Sequence, residues 1–491
     1  MLFDMNTLDR FASIRQYDVC IVGSGPAGIT LARVLAGEGK SVAVLEGGGL
    51  EYSENSQSLY QAKNTGANIW DAASICRLRY FGGTSNHWTG RCSFFDPIDF
   101  QQRDYFGMPG WPAGSREDMF KYFKAACAII DLPKNAFKAS HEYQWQGPNY
   151  RYSDVSLSPP TRFASKYLDE LKSSEKIDVF INANLTDIRL VEGLDAVKAL
   201  EITNYKGGIF YFSAKNYVLA MGAIENARLL LNSDKQVRGG VGNQYDMVGR
   251  CFMEHFNVNY GRFVIEDKKK WKQGSIELNP TDALMQKWQI GNAVLKFHLN
   301  YQAPEYGRLH ALKKTAREFV CRSETLTELT RKMVDMDCSG DGVITSLIEQ
   351  SPNLKSRIVL DTEKDQFGLR RVILNWNIND ADHRTIRTIG REVAKEMALT
   401  KVARVQLRDY ILDDKINIDE YGHHCHQMGT TRMSENPKFG VVDKNQRVHG
   451  MQNLFIAGSS VFSTGGGCNP TLTIVMMSLR LGKHIASVTP S

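Results

Sequence analysis

Long apolar runs, paired cysteines and concentrated charge are all missing from this sequence, and each absence narrows what the chain can be. Nothing reaches the eighteen or more consecutive apolar residues that a membrane helix requires. The opening residues MLFDMNTLDRFASIRQYD mix acids among their apolar positions, so no signal-peptide core is expected there. Nine cysteines, at 20, 76, 92, 127, 251, 321, 338, 425 and 468, are odd in number, widely spaced and free of any C-x-x-C pair. That pattern predicts neither a disulfide framework nor a zinc module, and a reducing cytoplasm is the simplest home. Sixty Lys+Arg against fifty-four Asp+Glu leave only +6 over 491 residues. The excess is spread out, not gathered into a stripe, which argues against a nucleic-acid module. The densest basic run, Lys268-Lys269-Lys270-Trp271-Lys272, is short and reads as a solvated loop.

What remains is an ordinary globular composition, 42% hydrophobic and 23% charged. The length suits about two or three domain-equivalents. Residues 17–46 read YDVCIVGSGPAGITLARVLAGEGKSVAVLE. A β-branched run, Val19 to Val22, precedes Gly23-x-Gly25-x-x-Gly28. Apolar residues at helical spacing follow from Ala27 to Ala36, and a second strand, Ser41 to Leu45, ends on Glu46. Each part has a mechanical task in a βαβ dinucleotide site. Gly23 permits the tight turn, Gly25 lets a pyrophosphate approach the backbone, and Gly28 lets helix pack on strand. The pyrophosphate would sit at the helix N-terminus, where free N–H groups favour an anion. Glu46 stands where an acid would bind a ribose hydroxyl. The motif alone does not separate FAD from a nicotinamide cofactor.

Near the C-terminus, Gly465-Gly466-Gly467 precedes Asn469-Pro470-Thr471 and an apolar run. This reads as a helix start, with Asn469 as N-cap and Pro470 at the first helical position. His423, His424 and His426 cluster upstream. In an extended segment, alternation would put His424 and His426 on one face and His423 on the other. Histidine suits removal of an alcohol proton because its unperturbed pKa lies near neutrality.

Further segments extend the pattern: FGGTSNHWTGRC at 81–92, GWP at 110–112, NYVLAMGAIENARLLL at 216–231, GRCFMEHF at 249–256 and EQSPNLKSRIVL at 349–360. The Asp380–Asp382 turn opening a helix and YGHHCHQMGTTRM from 421 belong with them. Together with the N-terminal glycines they resemble the glucose–methanol–choline (GMC) oxidoreductases, in the bacterial branch akin to pyranose oxidases and glycoside 3-oxidases. The resemblance implies an α/β, Rossmann-like FAD-binding domain that is discontinuous in sequence, with an α+β substrate domain whose antiparallel sheet covers the flavin. It divides the chain into FAD-binding parts at 1–100, 175–254 and 421–491, a linking segment at 101–174 and a substrate domain at 255–420.

The same resemblance implies FAD as cofactor and His426, four residues before the Thr of G-T-T-R-M, as the base. Asn469 takes the place of its partner; an amide can share the substrate hydroxyl but not accept its proton. Cofactor contacts are implied for Gly23, Gly25, Gly28, Glu46, Gly83, Thr84, Asn86, His87, Thr89, Leu185, Ala220, Gly222, Gly458, Ser459, Asn469, Pro470 and Thr471, with Thr89 near flavin N5. In pyranose oxidases the histidine of a similar S-T-H-W-T stretch bonds to the flavin. Here Asn86 departs from that pattern, leaving both covalent and non-covalent attachment at His87 open.

The implied activity is oxidation of a secondary hydroxyl on a sugar, glycoside or cyclitol. A non-sugar alcohol of natural-product metabolism, a nicotinamide-dependent dehydrogenase and a silent flavin scaffold are the alternatives. The electron acceptor, whether dioxygen, quinone or redox protein, is open. The region 255–420 is expected to supply much of the substrate pocket. It contains polar and aromatic residues such as Trp288, Gln289, Asn292 and Tyr301, with no long apolar stretch of the kind a sterol or alkane tunnel needs. Glu225 and Arg228 read as helix surface, with a face toward the cofactor as the alternative, Trp88 as packing and Cys468 as a small filler. No metal is expected, since adjacent side chains in His-His-Cys-His point apart. Nor is a serine hydrolase, since no G-x-S-x-G occurs. The stretch Asp337 to Thr345 mimics a calcium loop, but its twelfth position is Ile348, so a turn into a strand is expected.

Overall fold

The computed structural model describes residues 1–8, 14–67, 72–137, 147–267, 271, 276–299, 341–413 and 421–489. Continuous apolar runs such as Val19–Val22 and Val42–Leu45 are buried on both faces, the condition for a parallel sheet. They sit in a six-stranded parallel sheet ordered Leu2–Asp4, Ile177–Ile181, Val42–Leu45, Tyr17–Val22, Ala214–Leu219 and Leu454–Ile456. Its strands therefore come from three separated stretches of chain. Helix Pro26–Gly37 follows the central strand and packs on the C-terminal helix Thr471–Val488, so tightly that a Cβ on Gly482 would lie 2.8 Å from Val34 Cγ1. A three-stranded antiparallel meander, Asn184–Leu190, Val197–Thr203 and Ile209–Phe212, lies beside this sheet.

The second layer system is antiparallel. Its order is Ala403–Leu407, Phe256–Ile265, Asp341–Ile348, Ala293–Leu299, Ile276–Pro280 and Tyr150–Tyr152, with Tyr421–His423 pairing Phe256–Val258 as a seventh strand. Strands here alternate, as in the buried-exposed run of Phe256–Ile265, because the sheet has one covered face. Helix Asp380–Leu399 supplies cover, and its start is fixed by a capping box between Asn379 and Asp382. The hydroxyls of Tyr260 and Tyr150 donate to the carbonyls of Ile386 and Ile389 on that helix. An α/β dinucleotide fold joined to an antiparallel-sheet domain is thus the architecture of the chain. Among the described residues no helix is long and apolar enough to cross a membrane.

Three expectations change. Cys76 and Cys425, 349 residues apart, are joined as a disulfide with Cα atoms 5.6 Å apart. Spacing in sequence could not foresee that pairing, and cysteine usage no longer argues for a reducing compartment. Trp271 is not part of a solvated loop: it is buried, stacked on Phe263 and edge-on to Phe297, while the lysines at 268–270 and 272 lie outside the described residues. Asn469 does not cap the C-terminal helix. Pro470 occupies the cap position in helical geometry and the Asn469 side chain turns elsewhere. The mimic of a calcium loop does lead into a strand, Asp341–Ile348, and residues 337–340 are outside the described set.

Candidate active site

A cavity of about 530 Å³ runs from the Gly23 turn to the histidine cluster, lined by residues from the first 91, from 183–229, from 365–369 and from the C-terminal segment. At one end strand Tyr17–Val22 delivers the chain into Gly23, whose φ of +104° and close approach to Ala220 O, 2.5 Å from a would-be Cβ, only glycine tolerates. Gly28 lies one turn along the helix and outside the lining; a Cβ there would stand 1.9 Å from Gly23 O. Gly25 is different. Its Cβ would meet nothing within 4 Å, because it would point into the cavity. The space it leaves, at the N-terminus of helix Pro26–Gly37, is the cradle a pyrophosphate needs.

Glu46 lines the same end. Ser24 N–H and Oγ–H donate to its Oε2 at 3.1 and 2.6 Å, and Gly48 N–H donates to Oε1 at 2.9 Å. A carboxylate offers about four acceptor positions, so one remains for a ribose hydroxyl. Gly83, Thr84, His87 and Thr89 line the cavity from a loop laid over the glycine turn, tied down by Gly82 N–H donating to Ser24 Oγ. Burial lowers the His87 pKa. Asn86 does not line the cavity: its amide donates to Phe81 O at 2.9 Å, bracing the loop from behind. Leu185, Ala220, Gly222, Gly458, Ser459, Pro470 and Thr471 do line it. A long cavity with an open glycine cradle at one end and proton-handling side chains at the other fits a dinucleotide cofactor.

Glu225 and Arg228 are not helix surface. Both are buried and line the cavity within a chain of ion pairs: Arg77 Nη1 to Glu225 at 2.9 Å, Glu225 to Arg228 at 3.2 Å and Arg228 Nη2 to Asp365 at 2.6 Å. Burial pushes the Glu225 carboxyl up, but Arg228 and Arg77 outweigh it and hold it below its ordinary value. Trp88 also lines the cavity while its indole N–H donates to Thr161 O. Cys468 is the buried filler expected.

At the far end His426 and Asn469 meet, Nε2 to Nδ2, at 3.2 Å. His424 also lines the cavity, its ring stacked on that of His426 at 5.8 Å, whereas His423 does not. The segment is extended only to His423, and Cys425 is left-handed at φ +61°. Burial, then the neighbouring His255 and His424, hold the His426 pKa well below its ordinary value. Cys76, His423 and Cys425 offer ligand atoms within 4.8 Å of one another, but the two sulfurs are bonded to each other.

Two residues behind this end had no role assigned from sequence. His255 Nδ1 lies 2.9 Å from His426 Nδ1, and its Nε2 lies 2.9 Å from Gly466 O. Glu254 Oε1 accepts the backbone N–H groups of His255 and His426 at 2.9 and 2.6 Å, and burial raises its pKa to about 8. The available signal was an ionisable pair, Glu-His, inside the apolar run CFMEHF. Of the polar and aromatic residues named between 255 and 420, Trp288, Gln289 and Asn292 do not line the cavity. Trp288 is exposed, Gln289 ends a short helix, Asn292 donates to Asp96 and Asp99, and Tyr301 lies outside the described residues. Among described residues 255–420 the cavity is lined by Asp365, Phe367 and Leu369.

Residues 352–478 match the family described as GMC oxidoreductase, and residues 16–65 match the FAD binding domain. The chain is 22% identical to 6'''-hydroxyparomomycin C oxidase of Streptomyces lividus, over 96% of this chain and 92% of that one. It is 31% identical to C-glycoside 3-oxidase of Microbacterium trichothecenolyticum over 32% of this chain and 30% of that one. The fold is that of formate oxidase, with a TM-score of 0.58, 16% identity and coverage of 97% and 99% of the two chains.

Proposed function

We propose, from the premise that the chain is an FAD-dependent oxidoreductase of the GMC family acting on alcohol groups, that it oxidises a secondary ring hydroxyl of a sugar, glycoside or cyclitol to a ketone, with His426 as base. The observation that carries the proposal is the His426–Asn469 contact at 3.2 Å in the wall of the cofactor cavity. Bound FAD supplies the acceptor for the two electrons and the hydrogen that leave the carbon.

The rest is done by the chain. Gly23, Ser24 and Gly25 would hold the pyrophosphate and Glu46 the ribose, leaving the ring system for the histidine end. Burial keeps His426 neutral, so its lone pair is ready for the hydroxyl proton. The Asn469 amide, which cannot take that proton, orients the same oxygen by hydrogen bonding. The N-terminus of helix Thr471–Val488, whose first residue lines the cavity, would offer its positive dipole end to a cofactor bound there. Support for a sugar-like substrate comes from relatives such as the 6'''-hydroxyparomomycin C and C-glycoside 3-oxidases.

The test is anaerobic bleaching of the flavin by glucose, methyl β-D-glucoside and myo-inositol, against choline and long-chain primary alcohols. Reduction by the first group with a keto product is expected. Bleaching by the second group alone removes the substrate half of the proposal.

A further inference from the structure

We infer that His255 is the positioning residue that fixes which nitrogen of His426 is free to take the substrate proton. The inference rests on the reading of His426 as base. His255 is fully buried, immediately before strand Phe256–Ile265. Its Nε2 lies 2.9 Å from Gly466 O and 3.2 Å from Gly465 O. Carbonyl oxygens only accept, so Nε2 carries a hydrogen. In a neutral imidazole the other nitrogen is then bare. That bare Nδ1 faces His426 Nδ1 at 2.9 Å, and a hydrogen bond there needs one proton, which belongs to His426. His426 is therefore protonated at Nδ1 and bare at Nε2, the atom 3.2 Å from the Asn469 amide nitrogen. An amide N–H can only donate, so both ends of the chain of contacts require the same tautomer.

The arrangement depends on a neutral His255. A charged ring would carry hydrogen on both nitrogens, donate into His426 Nδ1 and leave His426 protonated at Nε2, where it could accept nothing. Burial holds the His255 pKa down at about 4, with Glu349 acting to raise it and Lys296 to lower it. The other histidine packed here, His424, has its Nε2 2.9 Å from Ser346 O and does not compete for either nitrogen of His426. The frame is held independently of the rings. Glu254 Oε1 accepts both main-chain N–H groups, and Gly466 N–H donates to Glu349 Oε1 at 3.0 Å, fixing the carbonyl that orients His255. Once His426 has taken the substrate proton it bears one on each nitrogen, and His255 Nδ1 still accepts from its Nδ1. The contact therefore persists through the proton transfer, in the way an orienting carboxylate serves other histidine bases, but with a neutral acceptor.

Ring-nitrogen NMR of the FAD-loaded protein carrying 15N-histidine reads the tautomers without any substrate; His426→Gln assigns the signals of that residue. Expected at neutral pH are a His426 protonated at Nδ1 alone and a His255 protonated at Nε2 alone. His426 protonated at Nε2 overturns the inference. Variants give the second readout, the rate of anaerobic flavin reduction by the fastest of glucose, methyl β-D-glucoside and myo-inositol. His255→Asn keeps an acceptor near the Nδ1 position, whereas His255→Gln keeps a donor for Gly466 O and loses that acceptor. His255→Gln should slow reduction by roughly 10- to 100-fold, less than the full worth of a general base because His426 remains, and His255→Asn should recover much of it. A purely structural role predicts no advantage for Asn over Gln, and that result overturns the inference. Unchanged reduction in His426→Gln instead removes the base assignment itself, which separates the two failures.

Discussion

Gly25→Ala and Gly28→Ala, two substitutions three residues apart, should fail in opposite ways. At Gly28 the new Cβ would stand 1.9 Å from Gly23 O, where ordinary van der Waals contact begins near 3.4 Å. The obstacle is the backbone of the glycine turn, held by Gly23 N–H donating to Leu45 O, so no side-chain rotation relieves it. Overpacking of this kind costs about 1–3 kcal/mol, and the apoprotein should melt a few degrees lower. At Gly25 the Cβ has nothing within 4 Å. Its helix-cap cost is a few tenths to about 1 kcal/mol, so the fold should survive with little change in melting temperature. The methyl would instead fill the cradle and displace the pyrophosphate from a charge-assisted backbone hydrogen bond worth about 1.5–3 kcal/mol. FAD should bind roughly 10- to 100-fold more weakly. Thermal melts of the two apoproteins, with FAD titrations followed by quenching of flavin fluorescence, make the comparison. A Gly25→Ala protein that binds FAD as tightly as the parent refutes the placement of the cradle, and an equally stable Gly28→Ala protein refutes the packing argument.

Removing Glu225 (Glu225→Ala) leaves Arg77 and Arg228 buried without their shared carboxylate, and about 3–5 kcal/mol of stability should be lost in denaturant titration. Because burial lowers the His426 pKa, the neutral base persists below the ordinary histidine range. Flavin reduction should therefore hold its rate as pH falls through about 6.5, and a halving centred there in single-turnover measurements would contradict the burial argument. Because Asn86 departs from the covalent pattern, FAD free of a bond to His87 is the expected outcome: acid precipitation should give a colourless pellet and a yellow supernatant, and a yellow pellet would reverse the expectation.

The dinucleotide half of the fold is legible in sequence because its logic is local. Val19–Val22, the three glycines and Glu46 lie within thirty residues, and each glycine's steric task can be stated before any coordinate is seen. His426 is legible only through its spacing to the G-T-T-R-M stretch. What sequence could not show are contacts made at a distance. The His255–His426 hydrogen bond spans 171 positions and the Cys76–Cys425 bond 349. Glu225 and Arg228 sit three apart on one helix, the spacing of an exposed ion pair. Only their remote partners Arg77 and Asp365 show that they are buried. Asn469 misled for a related reason: Asn before Pro is a good cap, but the partner across the cavity, His426, takes its amide instead.

The assignment of His426 as the base meets its most direct test in single-turnover flavin reduction by His426→Ala loaded with FAD, using whichever sugar, glycoside or cyclitol bleaches the parent. A loss of about 10²–10⁴-fold is expected, with FAD still bound and its absorption unchanged. Reduction at the parent rate would contradict the assignment and move the base elsewhere, with His424 next in line.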